Sequence, residues 1–438
     1  MQNIRQIFLK LVAAVICCNA SVQAVYHSNF EMASVDHIKK AHGSHLFKFG
    51  TEFSFAKAST TGYDADANQV NALQIYTQTE SARNMLIDPN YLQTLSSNST
   101  ADFVDGLDWS LWGLPVGLGS NWGDMKVTGK VKQASSTMWG RVLLDYGTIP
   151  GQFFMGIAMP ICSANVDDVA WVDQTDATAD GARNRVWVSN LTSKIEDYVQ
   201  AAGGLNIRSW SKRGLGDARM YFGWGNSYAR GEGAVSKIDV HASIGLSIPT
   251  GYQKDPDCAF SIPFGQDGSW GVPLNLGYNI VFGDNLKLSA NTEIMWLSAK
   301  TKDYRLKTDL SQTDYLILTK GKATKKPGVT WNFDLQALYK CSDSCNLSLT
   351  HNLISHQKDV LSAIPDCYDL DIVNSLKSLQ GYMSQDLTVR ADFEGRYGAD
   401  TKDTEGNEIN FSVFYTIPLS GEQTVKSSII GGELHFSF

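Results

Sequence analysis

Residues 238–248 alternate without interruption between apolar and polar side chains. Ile238, Val240, Ala242, Ile244, Leu246 and Ile248 fall on one face; Asp239, His241, Ser243, Gly245 and Ser247 fall on the other. A helix repeats every 3.6 residues and cannot sort side chains this way, whereas a strand repeats every two. The pattern recurs along the chain. Trp331, Phe333, Leu335, Ala337 and Tyr339 alternate with Asn332, Asp334, Gln336, Leu338 and Lys340. Leu286, Leu288, Ala290, Thr292, Ile294 and Trp296 alternate with Lys287, Ser289, Asn291, Glu293 and Met295. Val389, Ala391 and Phe393 alternate with Arg390, Asp392, Glu394 and Arg396, and Phe47, Phe49, Phe53 and Phe55 with Lys48, Gly50, Glu52 and Ser54.

These stripes run for about ten residues, the length a tilted strand needs to cross a bilayer. Strands of a soluble β-sandwich, the competing reading, are usually about five or six residues long. In lipid every backbone N–H and C=O must find a partner within the protein, and a closed barrel provides this because it has no free edge. The pattern therefore predicts an all-β fold over 46–438: a closed antiparallel transmembrane β-barrel, apolar face toward lipid and polar face inward. Strands are expected near 46–56, 132–147, 152–163, 216–229, 236–249, 269–282, 286–304, 328–340, 346–358, 385–397, 408–418 and 427–438, twelve in all. Fourteen follow if 107–131 holds a further hairpin. The long connections 57–131, 164–215, 250–268, 305–327 and 359–384 are placed outside the cell, and the short ones on the periplasmic side. Helical pieces are expected in the long loops at 68–95 and 186–202, where Val188, Leu191, Ile195 and Tyr198 recur at helical spacing.

The final stripe carries Ile430, Gly432, Leu434, Phe436 and Phe438 on one face, with Glu433, His435 and Ser437 on the other. An amphipathic last strand ending on an aromatic residue resembles the outer-membrane β-barrels of Gram-negative bacteria. That resemblance implies outer-membrane lipid as the surrounding solvent and a barrel-assembly machinery that reads Phe436 and Phe438.

Composition adds export and excludes some partners. Arg5 and Lys10, an apolar run over 11–18 and the small-residue site Val22-Gln23-Ala24 read as a secretory signal over 1–24. Residues 25–45 are then an N-terminal periplasmic or plug segment. Without Arg5 and Lys10 the 37 basic residues fall to 35 against 45 acidic ones, a net charge of about −10. An acidic chain is a poor nucleic-acid binder, because that affinity comes from cations neutralising phosphates. Five cysteines follow the signal; Cys341 and Cys345 flank a Ser-Asp-Ser turn and are spaced to close a small disulfide, and the pairing of Cys162, Cys258 and Cys367 stays open.

Motifs for covalent chemistry are weak. Asp64, Asp66 and Asn68 begin like a calcium loop, but Gln69 stands where glycine is needed. No metal set and no cofactor motif emerges. His241 and Ser243, two apart on one strand, resemble the pair of outer-membrane phospholipase A, but parity turns them inward, away from lipid. Gly214-Leu-Gly216-Asp217 followed by Ile248-Pro249-Thr250-Gly251 resembles a pattern in barrels proposed to take up aromatic or other hydrophobic compounds. The inner face is the richer source. By parity it carries Lys48, Glu52, Asp239, Lys287, Glu293, Asp334, Arg390, Asp392, Glu394, Arg396 and Glu433. Charges of both signs around a lumen favour hydrated solutes, or pair to fill a narrow interior. The expectation is a passive channel for ions or small molecules, hydrophobic or aromatic ones included, and not an enzyme. A structural or surface-adhesion barrel acting through its outer loops is the alternative, with a membrane-embedded phospholipase third.

Overall fold

The structure is a computed structural model describing residues 47–82, 84–87, 123–144, 150–174, 193–229, 233–362, 364, 368–397 and 407–437. The expected signal over 1–24, the segment 25–45 and Phe438 lie outside the described residues.

Twelve strands form one ring. They are β1 (Phe47–Ala56), β2 (Asp124–Leu144), β3 (Gln152–Asp173), β4 (Ala218–Ala229), β5 (Val235–Ile248), β6 (Gly271–Phe282), β7 (Leu286–Leu297), β8 (Thr330–Ser342), β9 (Cys345–His356), β10 (Tyr382–Tyr397), β11 (Asn407–Glu422) and β12 (Ile429–Ser437). Each pairs antiparallel with the next, and β12 returns to β1 with Phe49 opposite Phe436 and Glu52 opposite Glu433. Closure leaves no unpaired edge in the barrel wall. The ring is complete at twelve; 107–122 lies outside the described residues, and 124–131 belongs to β2.

Alternation sorts the side chains as the pattern demands. Phe53, Phe55, Ile244, Leu276, Leu335, Val413 and Ile430 stand exposed on the outer wall. Their inward neighbours, among them Asp239, His241, Ser243, Asn275, Asp334 and Glu433, are buried. Polar-in and apolar-out is the reverse of a soluble protein, and it is stable only against hydrocarbon.

Two expected strands run longer than expected. β2 and β3 project beyond the ring, and there β2 turns Met125, Val127 and Val131 inward and the exposed Lys126, Lys130 and Lys132 outward. The strand expected over 286–304 ends at Leu297. Lys300–Arg305 instead pairs with Lys320–Lys326, which pairs with Val360–Ser362, so that two loops share a small sheet. A second small sheet ties Thr424–Lys426 to Thr61–Tyr63 and Gln69–Asn71.

These loops form a dome over one mouth. Its core brings Leu73, Ile75 and Met85 from the first loop together with Ile195, Val199, Leu205 and Ile207 from the second. Phe260, Ile262 and Phe264 from the third join Tyr315 and Leu316 from the fourth. Each such side chain contributes about 1.5–3 kcal/mol on burial. The helix α1 (Ile195–Gly203) buries Ile195 and Val199 in this core, as helical spacing predicted for the second half of 186–202; Val188 and Leu191 lie outside the described residues. The described part of 68–95 holds strands at Gln69–Asn71 and Glu80–Ser81 and a single 3-10 turn, Asn84–Ile87, in place of the expected helix. At the other end the connections 283–285 and 343–344 are tight turns.

Cys341 and Cys345 are free thiols, not the expected disulfide. Ser342 pairs with Cys345 across the Asp343-Ser344 turn, and Cys341 is pushed out as the residue skipped by the strand register.

Candidate functional site

The lumen gathers most of the charged residues that parity sends inward. Lys48, Asp239, Glu293, Asp334, Arg390 and Glu433 are buried within it, and Glu52, Lys287 and Asp392 are half-buried. Glu394 is exposed near the short-turn end, accepting a 3.1 Å hydrogen bond from Asn346 Nδ2. The side chain of Arg396 lies outside the described residues.

The buried charges form compact networks. Arg390 donates to Asp392 Oδ1 at 2.7 Å, to Ser412 Oγ at 2.7 Å and to Glu433 Oε2. Arg219 Nη1 lies 3.3 Å from Glu293 Oε1, linking β4 to β7. Asp239 accepts from Ser227 Oγ at 2.6 Å and pairs with Lys237 at 3.0 Å. Asn352 donates to Asn332 Oδ1 at 2.8 Å and to Asp334. Planar guanidinium–carboxylate contacts of this kind are among the stronger polar interactions.

Elsewhere the inner wall is polar without being self-satisfied. Ser243, Ser247, Ser289, Asn291 and Ser348 are buried, and their side-chain polar atoms bond to no protein atom. Register makes much of this one continuous wall: Ser243 faces Asn275 across β5–β6, and Asn291 faces Asp334 across β7–β8. Groups so placed normally bind ordered water. Near the start of β3 the lumen holds an apolar cluster of Leu143, Phe154 and Tyr221. His241 and Ser243 both face this interior, where no membrane lipid reaches them.

Above the lumen, the loops enclose a cavity of about 160 Å3. Its lining includes Tyr304, Tyr315, Ile317, Leu361, Leu379 and Tyr382. Among them sits an ionic cluster. Asp267 takes Lys302 Nζ at 2.6 Å and Lys325 Nζ at 3.5 Å; Asp359 takes Lys325 Nζ at 3.3 Å and His356 Nε2 at 2.9 Å. Burial alone would raise Asp267, but the Lys325 and Lys302 ammoniums outweigh it and hold the carboxyl below its usual range. Burial likewise opposes ionisation of Asp359, and His356 and Lys325 more than reverse it. Lys325 resists the downward pull of burial because Asp267 and Asp359 flank it, and it ends above the usual lysine value.

The two glycine-containing motifs meet at the rim of this mouth. Asp217 Oδ1 accepts from Gly251 N at 2.9 Å and Oδ2 from Gln266 N at 2.6 Å. Thr250 Oγ1 accepts from Ala218 N at 2.9 Å and donates to Gly216 O at 2.8 Å. A Cβ at Gly251 would strike the Phe264 carbonyl, so the close approach needs glycine. The pair is a latch joining the start of β4 to the loop after β5.

Several lumen residues escaped the sequence reading. Arg141, Arg219 and Asp386 are buried inward-facing charges. Arg141 was within reach, because it falls on the polar parity of the strand expected over 132–147. Phe436, the described half of the expected assembly signal, stacks on Phe49 at 5.2 Å across the closing seam.

The ring is a closed twelve-stranded antiparallel barrel, apolar outside and polar within. No protein-family profile matches the sequence, and no curated protein does. Among solved structures it is similar to an outer membrane channel from Pseudomonas putida F1, with 10% identity and a TM-score of 0.49 over 91% of this chain and 97% of that one. The P. putida toluene transporter TodX matches at 8% identity and a TM-score of 0.33, covering 95% of each chain. The beta domain of the Bordetella autotransporter BrkA matches at 10% identity and 0.28, over 89% of this chain and 98% of that one.

Proposed function

We propose that this protein is an outer-membrane channel giving passive passage to small solutes, without a cofactor and without covalent chemistry. One observation carries the reading. The barrel encloses a wall of buried serine and asparagine side chains whose polar atoms have no protein partner. A purely structural barrel gains nothing from such atoms, which cost free energy unless water or a solute meets them. A wall that exchanges hydrogen bonds with whatever passes needs them.

The passage is narrow, since these side chains are nearly closed to solvent, and solute movement requires them to swing aside. The mouth cavity sets the solute class. Tyrosine and leucine side chains interleaved with an ionic cluster suit a compact molecule with an aromatic or other apolar body and a few polar groups. Small ions follow the same route through the lumen. Export through removal of residues 1–24, assembly through Phe436 and Phe438, and residence in a Gram-negative outer membrane complete the proposal.

Purified mature protein in planar bilayers tests it. Discrete steps of small conductance are expected, reduced by adding an aromatic solute on the loop side. A flat trace from correctly folded protein would abandon the channel in favour of a surface barrel acting through its loops.

A further inference from the structure

Arg141 is out of keeping with the other buried arginines of the lumen among the described residues. It is only 2% exposed, and none of its guanidinium nitrogens Nε, Nη1 and Nη2 has a hydrogen-bond partner. Arg219 and Arg390, by contrast, each hold a glutamate. Arg141 makes no ion pair among the described residues. Register explains why: it stands opposite Lys48 on β1 and Gly156 on β3, and Gly156 stands opposite Tyr221 on β4. Inward positions within two residues of that level on these strands are Gly50, Phe154, Ala158, Arg219 and Gly223, none of them acidic.

The surroundings sharpen the anomaly. Two cations directly opposite each other on paired strands repel. Leu143, Phe154 and Tyr221 form an apolar floor beside them, which lowers the local dielectric and raises the cost of an uncompensated charge. Tyr221 lies across Gly156, whose missing side chain makes room: a Cβ there would collide with the phenol ring and its hydroxyl. That hydroxyl is also buried and without a partner. Two orphaned donors, the guanidinium fork and the phenol, thus stand at one level.

We propose that Arg141 and Tyr221 form an anion-binding site in the lumen near the start of β3. Its ligand is a small monovalent anion, either an inorganic halide or the carboxylate of a passing solute. A guanidinium presents two parallel N–H groups that match a carboxylate, and a bound anion neutralises the buried Arg141 charge. The effect on selectivity rests on the channel reading, whereas occupancy of the site does not.

Two measurements separate these. In bilayers under a potassium chloride gradient, the wild-type protein passes chloride in preference to potassium. Arg141→Gln lowers that permeability ratio several-fold, Arg141→Lys retains most of it, and Tyr221→Phe lowers it less. Crystals of the full mature protein in sodium bromide show an anomalous peak at the Arg141 guanidinium, absent in Arg141→Gln. Added benzoate that displaces the bromide assigns the site to solute carboxylates; bromide that stays assigns it to inorganic anions. A bromide peak without any conductance sinks the channel and keeps the site. Conductance with an unchanged ratio in Arg141→Gln, and no bromide peak, overturns the site and keeps the channel.

Discussion

Asp217 shows how much one side chain can hold. Its two carboxylate oxygens accept from Gly251 and Gln266, fixing two points of the loop after β5 to the start of β4. Hydrogen bonds to a charged acceptor are worth about 1.5–3 kcal/mol each. Asp217→Ala is therefore expected to destabilise this rim by about 3 kcal/mol or more, seen as faster proteolysis of the 249–270 loop while the barrel stays folded. Glu80 is the opposite case. It is almost fully buried in the dome, with Oε1 unpartnered, and burial pushes its carboxyl up to about 8. An acid whose value is higher folded than unfolded stabilises the fold while protonated. That contribution is complete below about 4.5 and is lost as pH rises toward about 8. Glu80→Gln should thus raise the dome's melting temperature at pH 8 and leave it nearly unchanged at pH 4. Alternation placed side chains such as Arg141 and Ser243 on the inner face. It could not say which find partners, because partners come from strands far apart in sequence: Arg219 meets Glu293 and Arg390 meets Glu433.

At the scale of elements, the period-two signal located every strand of the ring, because lipid enforces it on each strand separately. Leu276, near the middle of β6, is 47% exposed on the lipid face. Leu276→Arg is expected to cost about 2–4 kcal/mol in urea unfolding from lipid vesicles, whereas Leu276→Phe stays near wild type. Element ends were harder to see. In β2 the inward positions change from Met125, Val127 and Val131 to Gln133, Thr137 and Arg141. The strand does not turn over there. What changes is its surroundings, from a loop core inside and water outside to a polar lumen inside and hydrocarbon outside. Reading this switch near residue 132 as a strand end made β2 and β3 look short. The break after Leu297 was hidden for a different reason: Lys300–Arg305 is itself extended, and only its partners differ.

Over the whole molecule, the loops gather into a dome with its own core. Its ionic cluster holds two loop strands to the neighbouring loops through Asp267, Asp359, Lys302 and Lys325. Asp267 and Asp359 lie below the usual carboxylate range, so their contribution is present above about pH 4 and is lost as pH falls further. Acid should therefore loosen the dome before the barrel, read as hydrogen exchange rising first in 300–326 and 357–362, together with larger single-channel currents below pH 4. Asp359→Asn should give part of that change at neutral pH.

The sequence alone settled the architecture as closed, antiparallel, greasy outside and polar within, and left twelve or fourteen strands open; the closed ring decided for twelve. The sequence could do so much because each strand must answer to lipid on one side, residue by residue, with no help from distant parts of the chain. Tertiary structure decided what the interior does. Whether an inward charge is neutralised, whether a mouth is roofed and whether two cysteines meet all depend on which strands and loops become neighbours. Arg141 faces Lys48 rather than a carboxylate only because β1 closes the ring against β2.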